Sequence, residues 1–414
     1  MTYIAQFLNM AFPKAGVLVH SIPVTAATIF FALSLLYILI RDHRSANEIP
    51  PLFWKVYLLF VLMVFLSLAF NIHQIGPRHL AMTAVLIGSP LAILLGLTLT
   101  NSRRAYQIAG LALLIAGIYA IIQYLFGIEE TTINGLNLAL GDSWNNKPIA
   151  IWVAQTPKYV KWPATYQNGN LAAAFYILAI PLLLSWRSIE LSDRWLRFSA
   201  LVTGFVGLLL SGARSALYPF ALIWIIICIV YVLWQRGNGL KDLLMWSGCI
   251  VLVFMAIGQV KPDSPPYDYM LDRYVLQTKQ DPTASGRTMQ WKEALKETSQ
   301  QAWSSRLQIF TLGWDRSADF PVEGFLAVAM LYGFIAMTLF VLLFLVTMYQ
   351  ASFRSEANQI IALGLLAGFC QFLIDSPFLQ PPTLINWFFV AGLALNQNKK
   401  DNSRIEPWII RRIL

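Results

Sequence analysis

The sequence predicts an all-α polytopic membrane protein with about 11–12 transmembrane helices. Three observations carry the prediction. Of the 414 residues, 57% are hydrophobic and 12% charged, about half the roughly 25% charge that covers a soluble domain. Apolar runs of the about 17–25 residues needed to cross a bilayer recur along the chain. Lysine and arginine are concentrated in alternate short loops, the pattern that orients membrane helices. This balance excludes a soluble enzyme, a disordered protein and a coiled coil, and residues 1–414 read as a single transmembrane domain.

In chain order, spans are expected near 22–40, 52–70, 80–99, 106–126, 170–186, 195–211, 215–234, 243–260, 322–348, 357–374 and 382–396. Residues 1–20, interrupted by Pro13 and Lys14, are too broken for a regular span and read as an interfacial or half-membrane helix. Met1–Val19 has no charged start before its apolar part and no signal-peptide pattern. No internal repeat is visible.

One set of short loops holds 15 basic residues: Arg41, Arg44, Arg103, Arg104, Arg187, Arg194, Arg197, Arg236, Lys241, Arg354, Lys399, Lys400, Arg404, Arg411 and Arg412. The opposite short segments hold Lys14, Arg78 and Arg214. The first set is therefore expected on the cytoplasmic side, with the C-terminus inside. The formal charge of +9 follows from this asymmetry, so no nucleic-acid partner is inferred. Two long segments, 127–169 and 261–320, fall on the outer side. Loops of this length are functional or fold locally. In the larger, Tyr267–Gln280 and Arg287–Trp303 carry helical spacing and are expected to lie over an outward-facing cavity.

Cys228, Cys249 and Cys370 sit in apolar runs and the four histidines lack metal-ligand spacing, so no disulfide, no metal and no cofactor is expected. Candidates for chemistry are charges placed against the apolar background. Phe198–Trp234 is apolar apart from Arg214. As one helix it would run about 55 Å, against a hydrocarbon core of ~30 Å. It must turn back at Ser211-Gly212-Ala213-Arg214-Ser215, which puts Arg214 at the outer face. An arginine there is a functional candidate or a snorkelling helix end. Arg287 and Arg273 read alone as solvated loop charges. Converging with Arg214, they would grip a phosphate or pyrophosphate. Glu323 reads as a helix-start carboxylate or as a base for a sugar hydroxyl. Asp375, in Ile374-Asp375-Ser376-Pro377, reads as a turn residue with a site role as the alternative. Asn168 and Asn170 suit a turn and helix cap, or the binding of sugar hydroxyls. Trp144, Trp152, Trp162, Tyr166, Trp291 and Trp314 suit interface anchors or sugar stacking. No P-loop, Asp-x-Asp, or Gly-x-Ser-x-Gly motif is present.

These pieces resemble the bacterial O-antigen ligase and O-antigen polymerase superfamily across most of residues 165–345. Tyr166–Pro181 (YQNGNLAAAFYILAIP) looks like its Asn-rich entry to an apolar helix. Ser211–Ala216 (SGARSA) looks like its outer turn with an essential arginine, and Ser285–Trp291 (SGRTMQW) like the second arginine. Leu326–Gly333 matches the end of the motif after the large loop. Ligases usually place a histidine three residues before that leucine; Glu323 stands there instead. The departure tips the reading toward polymerase, with ligase and protein-glycosylating relatives left open.

The resemblance implies a GT-C-like membrane enzyme of the bacterial inner membrane with a periplasmic active site. It implies a metal-independent, inverting glycosyltransferase. The expected donor is a glycan on undecaprenyl pyrophosphate, and the acceptor a glycan or lipid A-core. Membrane lipid and a chain-length regulator protein are further expected partners. Arg214 and Arg287, with Arg273, would neutralise the leaving pyrophosphate, and Glu323 would act as base. Asn168, Asn170, Trp291 and Asp375 would contact substrate. A lipid-linked-sugar transporter and a non-catalytic envelope scaffold are the competing classes.

Overall fold

The computed structural model describes residues 1–19, 22–41, 48–99, 101–141, 160–166, 168–188, 190–235, 238–281, 286–313, 323–352 and 355–396. Trp144, Trp152, Trp314, Arg44, Arg236, Arg354, Ser285 and the basic residues from Lys399 to Arg412 lie outside the described residues.

The fold is an α-helical bundle of the polytopic membrane class. Among the described residues, seven helices are long and apolar enough, by length and composition, to cross a membrane: Pro51–Phe70, His79–Leu97, Ser102–Phe126, Arg214–Trp234, Asn238–Val260, Phe334–Ser352 and Ala357–Ile374. The other predicted spans are helical too, in shorter or more polar form. Ala26–Arg41, Gly169–Leu184 and Pro381–Asn396 have 16 residues each, a rise of about 24 Å. Leu191–Leu210 starts with Asp193, Arg194 and Arg197 in its first two turns. The predicted 322–348 run is broken at Gly333 into Leu326–Tyr332 and Phe334–Ser352. Gly333 has φ 93°, and an added Cβ would lie 2.5 Å from the Thr311 carbonyl oxygen. Only glycine fits so close an approach in that backbone region.

The chain start departs from the all-α expectation. A helix, Thr2–Ala11, is followed by antiparallel strands Gly16–Val19 and Ile22–Thr25. Pro13 ends the helix, and the β-branched residues Val17, Val19, Ile22, Val24 and Thr25 favour the hairpin. Its outer edge is used: Leu18 N donates to Leu140 O at 2.9 Å and Leu140 N to Gly16 O at 2.8 Å. Part of the first long loop is thereby tied to the hairpin. The N-terminal helix is buried on the side of Ala5, Gln6 and Asn9, with Gln6 donating to Ala105 O at 2.9 Å and Asn9 to Asn386 Oδ1 at 2.7 Å.

Helix pairs close on small residues. A Cβ on Gly117 would lie 2.5 Å from the Thr203 backbone, and one on Gly392 would lie 2.2 Å from Ile93 O. Small residues allow this backbone approach where lipid supplies no hydrophobic drive between helices. At one end of the bundle, an aromatic layer packs Phe325 on Phe378 (5.2 Å between ring centroids) and Phe344 on Trp387 (4.5 Å). Phe325 follows Glu323 by two residues and Phe378 follows Asp375 by three, so the layer fixes the chain beside both carboxylates.

Candidate active site

Four helix ends meet at this place. The Gly169–Leu184 and Arg214–Trp234 helices begin here, and Leu191–Leu210 and Glu356–Ile374 finish here. The meeting is close: a Cβ on Gly169 would lie 2.1 Å from Ser211 O. The turn between the second and third of these elements is the predicted one. Gly212 takes φ 66°, which lets Ser211–Ala213 reverse the chain in a space too short for other residues.

The large loop is stitched onto that turn. Its helical stretch runs as Pro266–Met270, Leu271–Leu276 and Gln277–Gln280. Tyr269 Oη donates to Val160 O at 2.9 Å and to Leu210 O at 3.1 Å, and Tyr274 Oη to Leu209 O at 2.8 Å. Arg273 Nε donates to Gly212 O at 2.9 Å. Arg273 is buried and also bonds Gln277, so its role here is to lock the turn that carries Arg214. The middle of this stretch is wound as a π-helix, and Arg273 lies in it.

Asp375 is the hub. Its Oδ2 accepts from Asn170 Nδ2, from Ser215 Oγ at 3.0 Å, and pairs with Arg287 Nη2 at 3.3 Å. Its Oδ1 accepts from Ser376 N at 2.9 Å. Arg287, the first residue of the Arg287–Gln300 helix, also pairs through Nε with Glu323. Trp291, one turn on, donates its indole N–H to Glu323 O at 3.0 Å. Gly324 N donates to Ser376 Oγ at 2.8 Å. The Glu323 and Asp375 segments are thus tied by backbone and side chain alike. Arg214 adjoins Ser215 and pairs with Asp281 Oδ2 at 2.7 Å.

Arg287, Glu323, Asp375, Asn170 and Trp291 are therefore brought into one connected network, and Arg214 adjoins it as the chain neighbour of Ser215, with its own side chain on Asp281. Asn168 sits beside it but spends its side-chain oxygen as the N-cap of the Gly169 helix, accepting from Leu171 N at 3.0 Å. Two members were not candidates from the sequence. Asp281 follows a short helical piece in the large loop. Lys161, in the smaller loop, donates to Asn170 Oδ1 at 2.9 Å. Neither stands in a pattern that separates it from other loop charges. Trp162 and Tyr166 are buried, Tyr166 donating to Met10 O at 2.8 Å, so both pack the structure rather than face a ligand.

The electrostatics are uneven. Burial, and then the neighbouring Asp375 charge, raise the Glu323 carboxyl above the usual carboxylate range, against the pull of Arg287. Burial, and then the Arg273 charge, push the Lys161 ammonium down to about 8. Arg214 and Arg287 each start a helix, where the dipole favours anions over cations. Their N-cap residues, Ala213 and Gly286, have no side-chain oxygen. A guanidinium set at the positive end of a helix reinforces an anion site rather than a helix terminus. The arrangement can therefore hold a multiply charged anion, with a partly exposed carboxylate beside it.

No family model matches the chain, and no curated protein matches it. What the fold defines is a class, the α-helical polytopic membrane proteins. What the site defines is a half-buried cluster of guanidinium, ammonium and carboxylate groups at one end of the bundle.

Proposed function

We propose that the protein is an integral-membrane glycosyltransferase that moves a glycan from undecaprenyl pyrophosphate to a sugar hydroxyl at the periplasmic face. The leading form of the reading is an O-antigen or surface-polysaccharide polymerase of the bacterial inner membrane. The single observation that supports it most is the network joining Arg287, Glu323 and Asp375, with Arg214 adjoining it next to Ser215 and both arginines at helix starts. The shorter helices complete the bundle as further crossings in this reading, bringing the number to about eleven.

The geometry suits a single displacement. The acceptor hydroxyl attacks the anomeric carbon, and the bond to the pyrophosphate oxygen breaks with its electron pair on that oxygen. Arg214 and Arg287 neutralise the charge that develops there, which is electrostatic stabilisation by groups already in place. The hydroxyl proton passes to a carboxylate. Glu323 is the better acceptor: its side chain is 40% exposed, against 8% for Asp375. Its raised proton affinity also suits a base. Asp375, with four donors already on it, is a positioning residue that holds Arg287, Asn170 and Ser215.

The test is a transfer assay on purified protein in lipid, with EDTA and a defined undecaprenyl-pyrophosphate oligosaccharide, with and without lipid A-core. A ladder from the donor alone supports polymerase. A single shift of lipid A-core without a ladder assigns ligase. No product from either, across several donor glycans, overturns the transferase reading in favour of a transporter or scaffold.

A further inference from the structure

We infer that Lys161 is a third cationic ligand for the donor's phosphates, delivered from the first long loop through a slot between two helix ends. The identity of the ligand, a lipid-linked pyrophosphate, rests on the function proposed above. The placement of the ammonium does not.

Three observations carry the assignment. First, the stem has a built passage. A Cβ on Gly169 would lie 2.8 Å from Lys161 Cβ, and one on Gly212 would lie 3.2 Å from Lys161 Cγ. Both glycines sit at helix ends that form the site, so the lysine enters the cluster where larger residues would block it. Second, the ammonium reaches the network and is anchored there. Its donor bond to Asn170 Oδ1 is 2.9 Å, and Asn170 in turn holds Asp375. Third, its charge is not matched. Arg214 has Asp281, and Arg287 has Glu323 and Asp375. Lys161 has a neutral amide, and among the described residues no carboxylate lies within ion-pair distance of it. Holding a half-buried cation away from water without a counter-charge at contact distance is costly. A pyrophosphate arriving beside Arg287 supplies the missing negative charge.

The charged groups that act on the ammonium come from every side of the slot: Arg273 on the loop helix, Arg287, Asp375 and Glu323. The two arginines disfavour its charged form and the two carboxylates favour it, and burial outweighs them all. Lys161 therefore holds its proton less tightly than a surface lysine. A lysine in this state binds an anion when protonated and loses that contact as pH rises through about 8. Bound anion stabilises the proton, so the loss shifts upward in the complex.

The experiment measures affinity, independent of turnover. Wild type, Lys161→Met and Lys161→Arg, each full length in neutral-lipid nanodiscs, are titrated with inorganic pyrophosphate. A second set of nanodiscs carries undecaprenyl pyrophosphate in graded amounts. Lys161→Met is expected to weaken binding about 10- to 100-fold, the range for a charge-assisted hydrogen bond. Wild type should lose affinity between about pH 7 and about pH 9.5, beyond the loss seen in Lys161→Arg, whose guanidinium stays charged throughout. Comparing the two proteins on one ligand cancels titration of the ligand itself. Dependence on Lys161 for both ligands assigns a phosphate contact. Dependence for the lipid alone assigns the contact to a membrane-delivered headgroup.

Affinity for both ligands within twofold of wild type in Lys161→Met overturns the inference. If that variant does not fold, identical pH profiles for wild type and Lys161→Arg overturn it equally. The two readings fail separately. Product formation with Lys161-independent affinity removes this assignment alone. Lys161-dependent binding without product from any donor removes the transferase reading alone.

Discussion

Asp375→Asn removes one charge and almost no volume, and it addresses the centre of the network. Arg287 Nη2 lies 3.3 Å from Asp375 Oδ2, a gross attraction of about 5 kcal/mol at an effective dielectric of about 20. Glu323 remains as a partner of Arg287, and removal of the carboxylate also removes its own desolvation cost. The net loss expected is about 1–3 kcal/mol. Asparagine cannot restore the pattern by turning over. One orientation points its NH2 at Arg287 and Asn170, and the other points it at the Ser376 N–H. Thermal unfolding in detergent should fall by several degrees, and turnover should drop with it. The pH profile is more specific. The Asp375 charge raises the Glu323 carboxyl, so its removal lowers Glu323 and moves the acidic limb of activity to lower pH. An acidic limb that stays in place or moves upward, in a variant that is folded, would refute both the base assignment and its coupling to Asp375.

Glu323→Gln should reduce transfer about 10²- to 10⁴-fold, the range for losing a general base, with donor affinity little changed. Glu323→His should recover part of that activity, with an acidic limb near the ordinary histidine range of about 6.5; full loss in both variants with intact folding would leave Glu323 a structural ion-pair partner. Arg214→Gln is expected to cost about 10²- to 10³-fold in turnover, as for removal of one oxyanion donor, and circular dichroism should stay that of wild type. Gly392→Val should destabilise the bundle without touching the site, because a Cβ there meets Ile93 O at 2.2 Å; an unchanged unfolding temperature would show that the two helices separate freely.

The helices were legible because a long apolar run has few other solutions in a membrane protein. Their breaks were less so. Gly333 reads as one small residue in an apolar stretch, and its φ 93° comes from the contact with Thr311, far away in sequence. The strands Gly16–Val19 and Ile22–Thr25 were hidden because five β-branched residues before an apolar helix look like more of that helix. In the site, Arg214 stood out as a charge against apolar sequence, whereas Arg287 and Glu323 gained weight only beside Arg214 and through the family resemblance. Asp375 read as a turn residue because its donors Ser215 and Asn170 lie 160 and 205 residues away. Lys161 is one of three lysines in the same loop, with Lys147 and Lys158, and only the slot between Gly169 and Gly212 distinguishes it. Asn168 was a substrate candidate whose capping alternative is the contact observed.

Charge alone does not separate the two ends of this bundle; the way the charges are held does. At the end away from the site, the half-exposed Arg103 pairs with the half-exposed Glu190 and with the buried Asp193. The Arg103–Glu190 arm of this pairing is screened by solvent and contributes little. Arg187 lies over the Trp234 ring at 4.6 Å and Arg197 over Trp246 at 5.4 Å. Those aromatic faces hold the cations where the helices end, as interface anchors do. At the site end, Arg287 and Asp375 have side chains 12% and 8% exposed, and the Phe325–Phe378 stack fixes the backbone beneath them. Groups so placed cannot reorganise cheaply when a new charge arrives, and that rigidity is what electrostatic catalysis requires. A chain needing only loop charge for orientation had no reason to build this second kind of end, with its left-handed Gly212 and its two arginine-headed helices. The cost of burying those charges is offset in part by the pairs they form with Asp281, Glu323 and Asp375.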